Sequence, residues 1–457
     1  MKRPRFSPAL PLKTAWTVAL VGALGLGLLV LDGAMGWSQF SSTDAPPAAP
    51  AGALPKISSV AAFETDAEIL RRMSAQTAPH QPIEFRKAAD IQDFVGDVTA
   101  LAAGERRTPV RILHYGDSIL TSDHMSSQVR NILQKKYGDG GHGFVLLGKP
   151  WSWYRHKGVT HNAWGKWRSR PLTSAPLSDG LYGLGGVAFL AEYGGRNTAA
   201  FVGTTQEGDV GRSARRFDIS YLAQPGGGSF KVLINGAERE QVATRADVRK
   251  AVHRIYEVHP GPARLQIQFN NDGRLRVFGA AIETGEPGIV YDSLAINGAR
   301  ASALRRFDME HWGAEINHRE PSLLIFMFGA NEGAMAQLSV DEYENQYMEL
   351  LGELLPRVQR ASCLLVGPLD QAAADASGKL RSKRMPIRLS AVQRRVAFAH
   401  NCAFFDTQRA MGGEGSMAEW YRTGYGAGDM IHPTEAGSRR LGNWLAEALI
   451  HLAAQPL

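Results

Sequence analysis

The sequence predicts an α/β protein in which a parallel sheet carries helices on both faces, a three-layer αβα arrangement, with an all-β, jelly-roll-like segment inserted into it. Three observations predict this. Short apolar runs alternate with helical periodicity up to about residue 149 and again from 288, and strands separated by helices run parallel. Between these parts the helical period is lost, and residues 150–287 carry runs such as "VAFLAEY", "FDISYLA", "FKVLI", "RLQIQF" and "LRVFGAAI". Asn235-Gly236 and Asp272-Gly273 punctuate those runs with residues that favour hairpin turns.

The elements follow in order. A basic stretch leads into "AWTVALVGALGLGLLVL", Ala15 to Leu31, uncharged and ended by Asp32. Residues 1–37 therefore read as a signal peptide or a membrane anchor and not as part of the fold. The run sits at the short limit for a spanning helix, and Ala34-Met35-Gly36 offers a small-residue cleavage pattern. Positive residues ahead of it keep that end in the cytoplasm. Both readings put the remainder in the periplasm or another extracytoplasmic space, the second with residues 15–31 as an inner-membrane anchor. Residues 38–60 form a Pro/Ala-rich linker. The first part of the α/β domain spans 61–149, with helical periodicity at 61–76 and 89–103 and a first strand at 110–115. The β-sandwich insertion spans 150–287, as a second domain. The second part, 288–457, sets helices near 302–317, 340–359, 386–399 and 433–453 around the strands "SLLIFMF", "CLLVG" and "AFFD".

Charge and cysteine content narrow the function. Part of the net charge of +7 belongs to Lys2, Arg3, Arg5 and Lys13 against Asp32, leaving about +4 spread over the rest. With no Lys/Arg-rich block, nucleic acid is set aside as a partner. Cys363 and Cys402 each introduce an apolar run, as at the starts of neighbouring strands. Two buried thiols or one disulfide both suit that position, and the spacing matches no zinc site.

The chemistry gathers at strand ends. In "ILHYGDSILTSDH" an apolar run stops at Gly116-Asp117-Ser118, ahead of what reads as a helix start. A serine on such a turn is a candidate nucleophile, and Asp117 and Ser118 as mere helix caps are the alternative. "GAGDMIHPTEAG" places Asp429 and His432 three apart before the last helix, a candidate carboxylate–imidazole pair for a serine base. "YDSLAINGARAS" runs into Asn297-Gly298, where a backbone N–H can approach a substrate unhindered. "LLIFMFGANEG" ends a strand near Asn331, whose amide would project into the crevice at the sheet's carboxyl edge.

These four blocks resemble those of the SGNH hydrolases in the GDSL esterase/lipase superfamily: Ser118 in "GDS", Gly298 in "INGA", Asn331 in "GAN" and His432 in "DMIH". The likeness covers about 110–148 and 288–453. In layout the chain is similar to peptidoglycan O-acetylesterases, which carry a β-rich, carbohydrate-binding-like insertion between the first two blocks; "YGDGGHGF" and "GANE" also look like that group. The resemblance implies Ser118, His432 and Asp429 as catalytic residues and Ser118, Gly298 and Asn331 as oxyanion donors, with no metal or organic cofactor. It implies an exported esterase removing O-acetyl groups from peptidoglycan or another O-acetylated envelope glycan. An O-acyltransferase with the same triad and a non-catalytic glycan-binding protein are the alternatives, and the oligomeric state stays open.

Beside these blocks, "KPWSWYRHKGVTHNAWGKW" concentrates Trp151, Trp153, Trp164 and Trp167. Exposed, they would be platforms for sugar rings; packed inside the β segment or at its junction, they are core. His156 and His161 read as surface histidines, and His124 as a bystander on a helix face. The loop "EGSMAEWYRTGYGAGD" is expected either to line the pocket through Trp420, Tyr421 and Arg422 or simply to connect.

Overall fold

The computed structural model describes residues 81–455, apart from 192–193, 195–196, 206–210 and 336. The apolar amino-terminal run, the linker and the helix expected at 61–76 lie outside these residues. No helix among the described residues is long and apolar enough to cross a membrane.

Strands β1 (Val110–Gly116) and β2 (Asp139–Val145) precede the insertion. The insertion holds β3 (Val159–Trp164), β4 (Trp167–Pro171), β5 (Val187–Ala191), β6 (Ala199–Thr204), β7 (Ala214–Ala223), β8 (Ser229–Ile234), β9 (Ala237–Ala243), β10 (Lys250–Gly261), β11 (Arg264–Phe269) and β12 (Leu275–Glu283). After it come β13 (Ile289–Ala295), β14 (Leu323–Met327), β15 (Ser362–Val366), β16 (Ala372–Ala374), β17 (Leu380–Ser382) and β18 (Ala403–Phe405). The helices are α1 (Gln92–Ala102), α2 (His124–Tyr137), α3 (Met309–Arg319), α4 (Val340–Leu354), α5 (Arg384–Ala399), α6 (Thr407–Met411), α7 (Ser416–Arg422) and α8 (Glu435–Ala453).

Strands β2, β13, β1, β14, β15 and β18 run parallel in that spatial order. Neighbouring residues of β1 point to opposite faces. Val110 and Ile112 join a core with α1, α2 and α8, and Leu113 and Tyr115 join one with α3, α4 and α5. The parallel sheet is therefore covered on both sides, as the uninterrupted burial of β1, β14 and β15 requires.

The insertion is β throughout and antiparallel in its own pairings, but it continues the central sheet. β12 pairs antiparallel with β2, and β7, β10, β5 and β4 extend outward from it. The other five strands form a second sheet in the order β3-β6-β11-β8-β9. Val202, Val232 and Ile267 of that sheet share a core with Phe217 and Val277 of the first.

Two expectations need correction, and one open reading is decided. Asn235-Gly236, with φ of 51° and 86°, does close a hairpin between β8 and β9. Asp272-Gly273 does not, because β11 and β12 lie in different sheets. There the Asp272 carboxylate accepts from the Ser229 backbone and hydroxyl at 2.7 and 2.6 Å, fixing a crossover. Helix α2 begins only at His124, since Asp117 Oδ1 accepts from the Ile119 N–H at 3.0 Å and bends the chain into turns first. Of the two readings open for Cys363 and Cys402, the structure has the disulfide. It joins β15 to the residue entering β18, adjacent parallel strands.

Candidate active site

Ser118 stands on the turn after β1, half-buried, at the carboxyl edge of the parallel sheet. Gly116 permits the bend: a Cβ there would lie 2.5 Å from Leu120 Cδ1 and 3.1 Å from the Met327 carbonyl. The Ser118 hydroxyl is 2.7 Å from His432 Nε2. His432 Nδ1 is 2.6 Å from Asp429 Oδ2, and Asp429 Oδ1 accepts from the backbone N–H groups of Ile431 and His432 at 2.9 Å each. Partial burial pushes the Asp429 carboxyl up, but those N–H groups and the imidazole outweigh it and hold the group below its usual range. The segment before α8 thus presents an imidazole with an ionised carboxylate behind it and a serine hydroxyl in front.

The other two blocks reach the same place. A cleft of about 450 Å³ is lined by Ser118, Asn297, Gly298, Asn331 and His432, together with Trp153. Gly298, with φ of 67°, adopts a left-handed conformation that favours glycine, and a Cβ there would meet nothing within 4 Å. Among the described residues neither the Ser118 nor the Gly298 backbone N–H meets an acceptor. Asn331 donates one amide hydrogen to the Ala299 carbonyl at 2.8 Å, which leaves its second one. Of the five predicted site residues, all except Asp429 line the cleft, and Asp429 reaches it through His432.

A second tier holds these groups, and sequence reasoning did not single it out. Asp117 Oδ2 accepts from the Ala330 N–H at 3.3 Å, tying the Ser118 turn to the Asn331 turn. Glu332 Oε1 accepts from the Ala301 N–H at 2.8 Å, tying the Asn331 turn to the segment after Gly298. Both carboxyls are buried, and burial first, then for Asp117 the nearby Glu332, pushes each up to about 7. The identity of Glu332 stood in "GANE"; its partner, 31 residues away in sequence, left no local signal.

The aromatic stretch divides. Trp151 and Tyr154 are buried and Trp167 donates its indole N–H to the Ala199 carbonyl, whereas Trp153 is 51% exposed and lies in the cleft. Asp123 holds that loop, accepting from the Lys157 N–H at 2.7 Å and from Arg130 at 2.8 Å. His156 is buried and His161 mostly so, contrary to the surface reading, and burial pushes them down to about 3 and 4. The stretch around Trp420 is helix α7, with Trp420 fully buried in the core and neither Tyr421 nor Arg422 lining the cleft. His124 is 3.3 Å from Glu435 and likewise outside it.

A hydroxyl, an imidazole and a carboxylate in this relation allow the hydroxyl to be deprotonated as it attacks a carbonyl carbon, with nearby N–H groups receiving the negative oxygen. A family model for GDSL-like lipases and acylhydrolases matches residues 246–440. No curated protein matches the chain. Among solved structures, a peptidoglycan O-acetylesterase superposes with a TM-score of 0.66 and 23% identity, over 81% of this chain and 98% of that one. At that identity the likeness is one of fold. A salicylyl-acyltransferase from a tetracycline biosynthetic pathway (12% identity, 66% and 96% coverage, TM-score 0.31) is also similar. So is a Clostridium thermocellum family two carbohydrate esterase (10%, 63% and 98%, 0.26), and scores this low carry no argument. Over residues 246–440 the chain is thus similar to GDSL-like lipases and acylhydrolases, and its parallel sheet with the inserted β segment has the fold of a peptidoglycan O-acetylesterase.

Proposed function

We propose that the protein is an exported serine esterase that removes O-acetyl groups from peptidoglycan or a related envelope polysaccharide, with Ser118, His432 and Asp429 as its triad. The observation that carries this is the continuous series Ser118 Oγ–His432 Nε2 at 2.7 Å and His432 Nδ1–Asp429 Oδ2 at 2.6 Å, opening on the cleft. The Ser118 oxygen attacks the acetyl carbonyl carbon while its proton passes to His432 Nε2. The oxyanion is received by the N–H groups of Ser118 and Gly298 and by the free amide hydrogen of Asn331. His432 then returns the proton to the departing sugar oxygen, leaving acetyl-Ser118. Water, deprotonated by the same imidazole, attacks the acyl carbon; the bond from Ser118 Oγ to that carbon breaks, His432 returns the proton to Oγ, and acetate leaves. Asp429 keeps the imidazole in the useful tautomer and offsets its positive charge.

The exposed Trp153 indole beside Ser118 supports a sugar-bearing substrate, and the Cys363–Cys402 disulfide supports an oxidising compartment. Incubation with O-acetylated peptidoglycan and with p-nitrophenyl acetate, following free acetate, tests the reading. Wild type is expected to release acetate from both in water, and Ser118→Ala to fold normally yet lose at least about a thousandfold in kcat. A variant retaining a tenth of the wild-type rate would exclude Ser118 as the nucleophile. Acetate release only when an acceptor glycan is added would make the protein a transferase.

A further inference from the structure

Away from the cleft, the junction of the insertion with helix α3 gathers four side chains of metal-ligating type. Asp218 on β7, His253 on β10 and His318 near the end of α3 offer ligand atoms that all lie within 4.8 Å of one another. His318 Nε2 is 2.7 Å from Asp218 Oδ2, and the two imidazoles stack with centroids 3.5 Å apart. His253 Nε2 lies 2.8 Å from Glu315 Oε1 as an ion-pair contact, and Glu315 Oε2 accepts from the Ser220 hydroxyl at 3.0 Å. A carboxylate on one imidazole nitrogen places the proton there and leaves the other nitrogen as a lone-pair donor, the usual second sphere of a histidine that ligates metal. That other nitrogen, Nδ1, faces Asp218 Oδ1 at 3.9 Å.

Two further observations single the cluster out. Asp218 is only 5% exposed, and its Oδ1 accepts no hydrogen bond although it lies 3.9 Å from His253 Nδ1. Glu315, 1% exposed, adds a second buried negative charge. Against these two carboxylates stands Arg216, 3.9 Å from Asp218 Oδ2, while Arg319 is held by Glu283 and Asp292 at 2.8 and 3.2 Å. With neutral imidazoles the pocket carries an excess of negative charge. The histidine side chains are 18% and 27% exposed, so an ion can enter from solvent.

We propose that Asp218, His253 and His318 bind a divalent transition-metal ion of the zinc type, with Glu315 orienting His253. Two imidazoles and a carboxylate select borderline cations over calcium or magnesium, and the remaining coordination position falls to water. The ion would clamp β7 and β10 to α3, joining the insertion to the helical layer, and it takes no part in ester hydrolysis.

The test is titration of the chelator-treated full-length protein with zinc chloride by calorimetry, with cobalt(II) absorption as a geometric probe. Expected for wild type is one site with a dissociation constant of about a micromolar or tighter, a raised melting temperature, and visible bands of four-coordinate cobalt. His253→Ala and His318→Ala are expected to abolish the site, and Glu315→Gln to weaken it about 10- to 100-fold. Replacement of the exposed His259 is expected to leave it intact. Hydrolysis of p-nitrophenyl acetate by each variant reports that it has folded. Absence of saturable binding to wild type overturns the proposal, whatever the variants do. Binding that survives in folded His253→Ala and His318→Ala, or that is lost in His259→Ala, overturns it as well.

Discussion

Asp117 and Glu332 stand behind the cleft as buried carboxyls that form no salt bridge among the described residues, each pushed up to about 7. Each holds its proton more tightly in the folded chain than in the unfolded one. Their contribution to stability is therefore full below about pH 4 and is lost as the pH rises through about 7. Glu332→Gln tests this cleanly, because the amide oxygen can keep the Ala301 N–H and the amide nitrogen replaces an oxygen that has no hydrogen bond. Between pH 5 and pH 8, urea denaturation is expected to show the variant gaining on the order of 2 kcal/mol relative to wild type. An offset independent of pH would mean that Glu332 ionises normally. Trp153 admits a separate test at this scale. Trp153→Ala is expected to raise KM for O-acetylated glycan about three- to tenfold with little change for p-nitrophenyl acetate, as loss of a stacking platform should. Equal losses on both substrates would instead point to a collapsed loop.

The loop that carries Trp153 depends on Asp123, which sits in the left-handed region at φ 55° and accepts from Ser126, Arg130 and the Lys157 N–H. Burial raises its carboxyl, but the Arg130 charge prevails and holds it near 2. Asp123→Ala leaves the buried Arg130 guanidinium without its counter-charge, and a loss of about 3–5 kcal/mol is expected by chemical denaturation. A loss under 1 kcal/mol would show that the pair does not anchor the loop. This element also marks where sequence reading stops. Ser118, Gly298, Asn331 and the Asp429–His432 pair each follow a strand or precede a helix, so their placement at the sheet edge was legible from local pattern. The attachment of the Trp153 loop joins Asp123 to Lys157 across 34 residues, and no local pattern encodes such a contact. For the same reason His156 passed for a surface residue. Trp420 was misread differently, because a short helix rich in Gly neighbours has the composition of a loop.

In the whole molecule part of the strand inventory was legible and the pairing was not. Alternating apolar runs announced β5 to β8, β11 and β12, but nothing local said that β12 would pair with β2 and make the central sheet run on into the insertion. The consequence can be measured. Removing 150–287 exposes the β2 edge and the core it shares, so that truncated chain is expected to aggregate in size-exclusion chromatography. A monomeric, active product would show that the insertion is dispensable. The Cys363–Cys402 bond closes 39 residues, and Cys363→Ala/Cys402→Ala is expected to cost about 2–4 kcal/mol of unfolding free energy in non-reducing buffer.

That bond has a mechanical side. β18 is the outermost parallel strand, and its free edge is taken by Glu84, whose N–H and carbonyl exchange hydrogen bonds with Phe404 at 2.8 Å each. Glu84 is also clasped by Arg394 at 2.6 Å. A pull on the chain ahead of Glu84 therefore loads this two-bond clasp and, only while it holds, β18 through it. β18 cannot then peel from β15 as a free ribbon, because the disulfide bolts its entrance to the neighbouring strand. In a force-extension trace, release should come in two steps, a weak early rupture at the clasp and a stronger one behind it. Under reducing conditions β18 is free to leave with the clasp, so the early rupture should release more chain while the later one stays where it was.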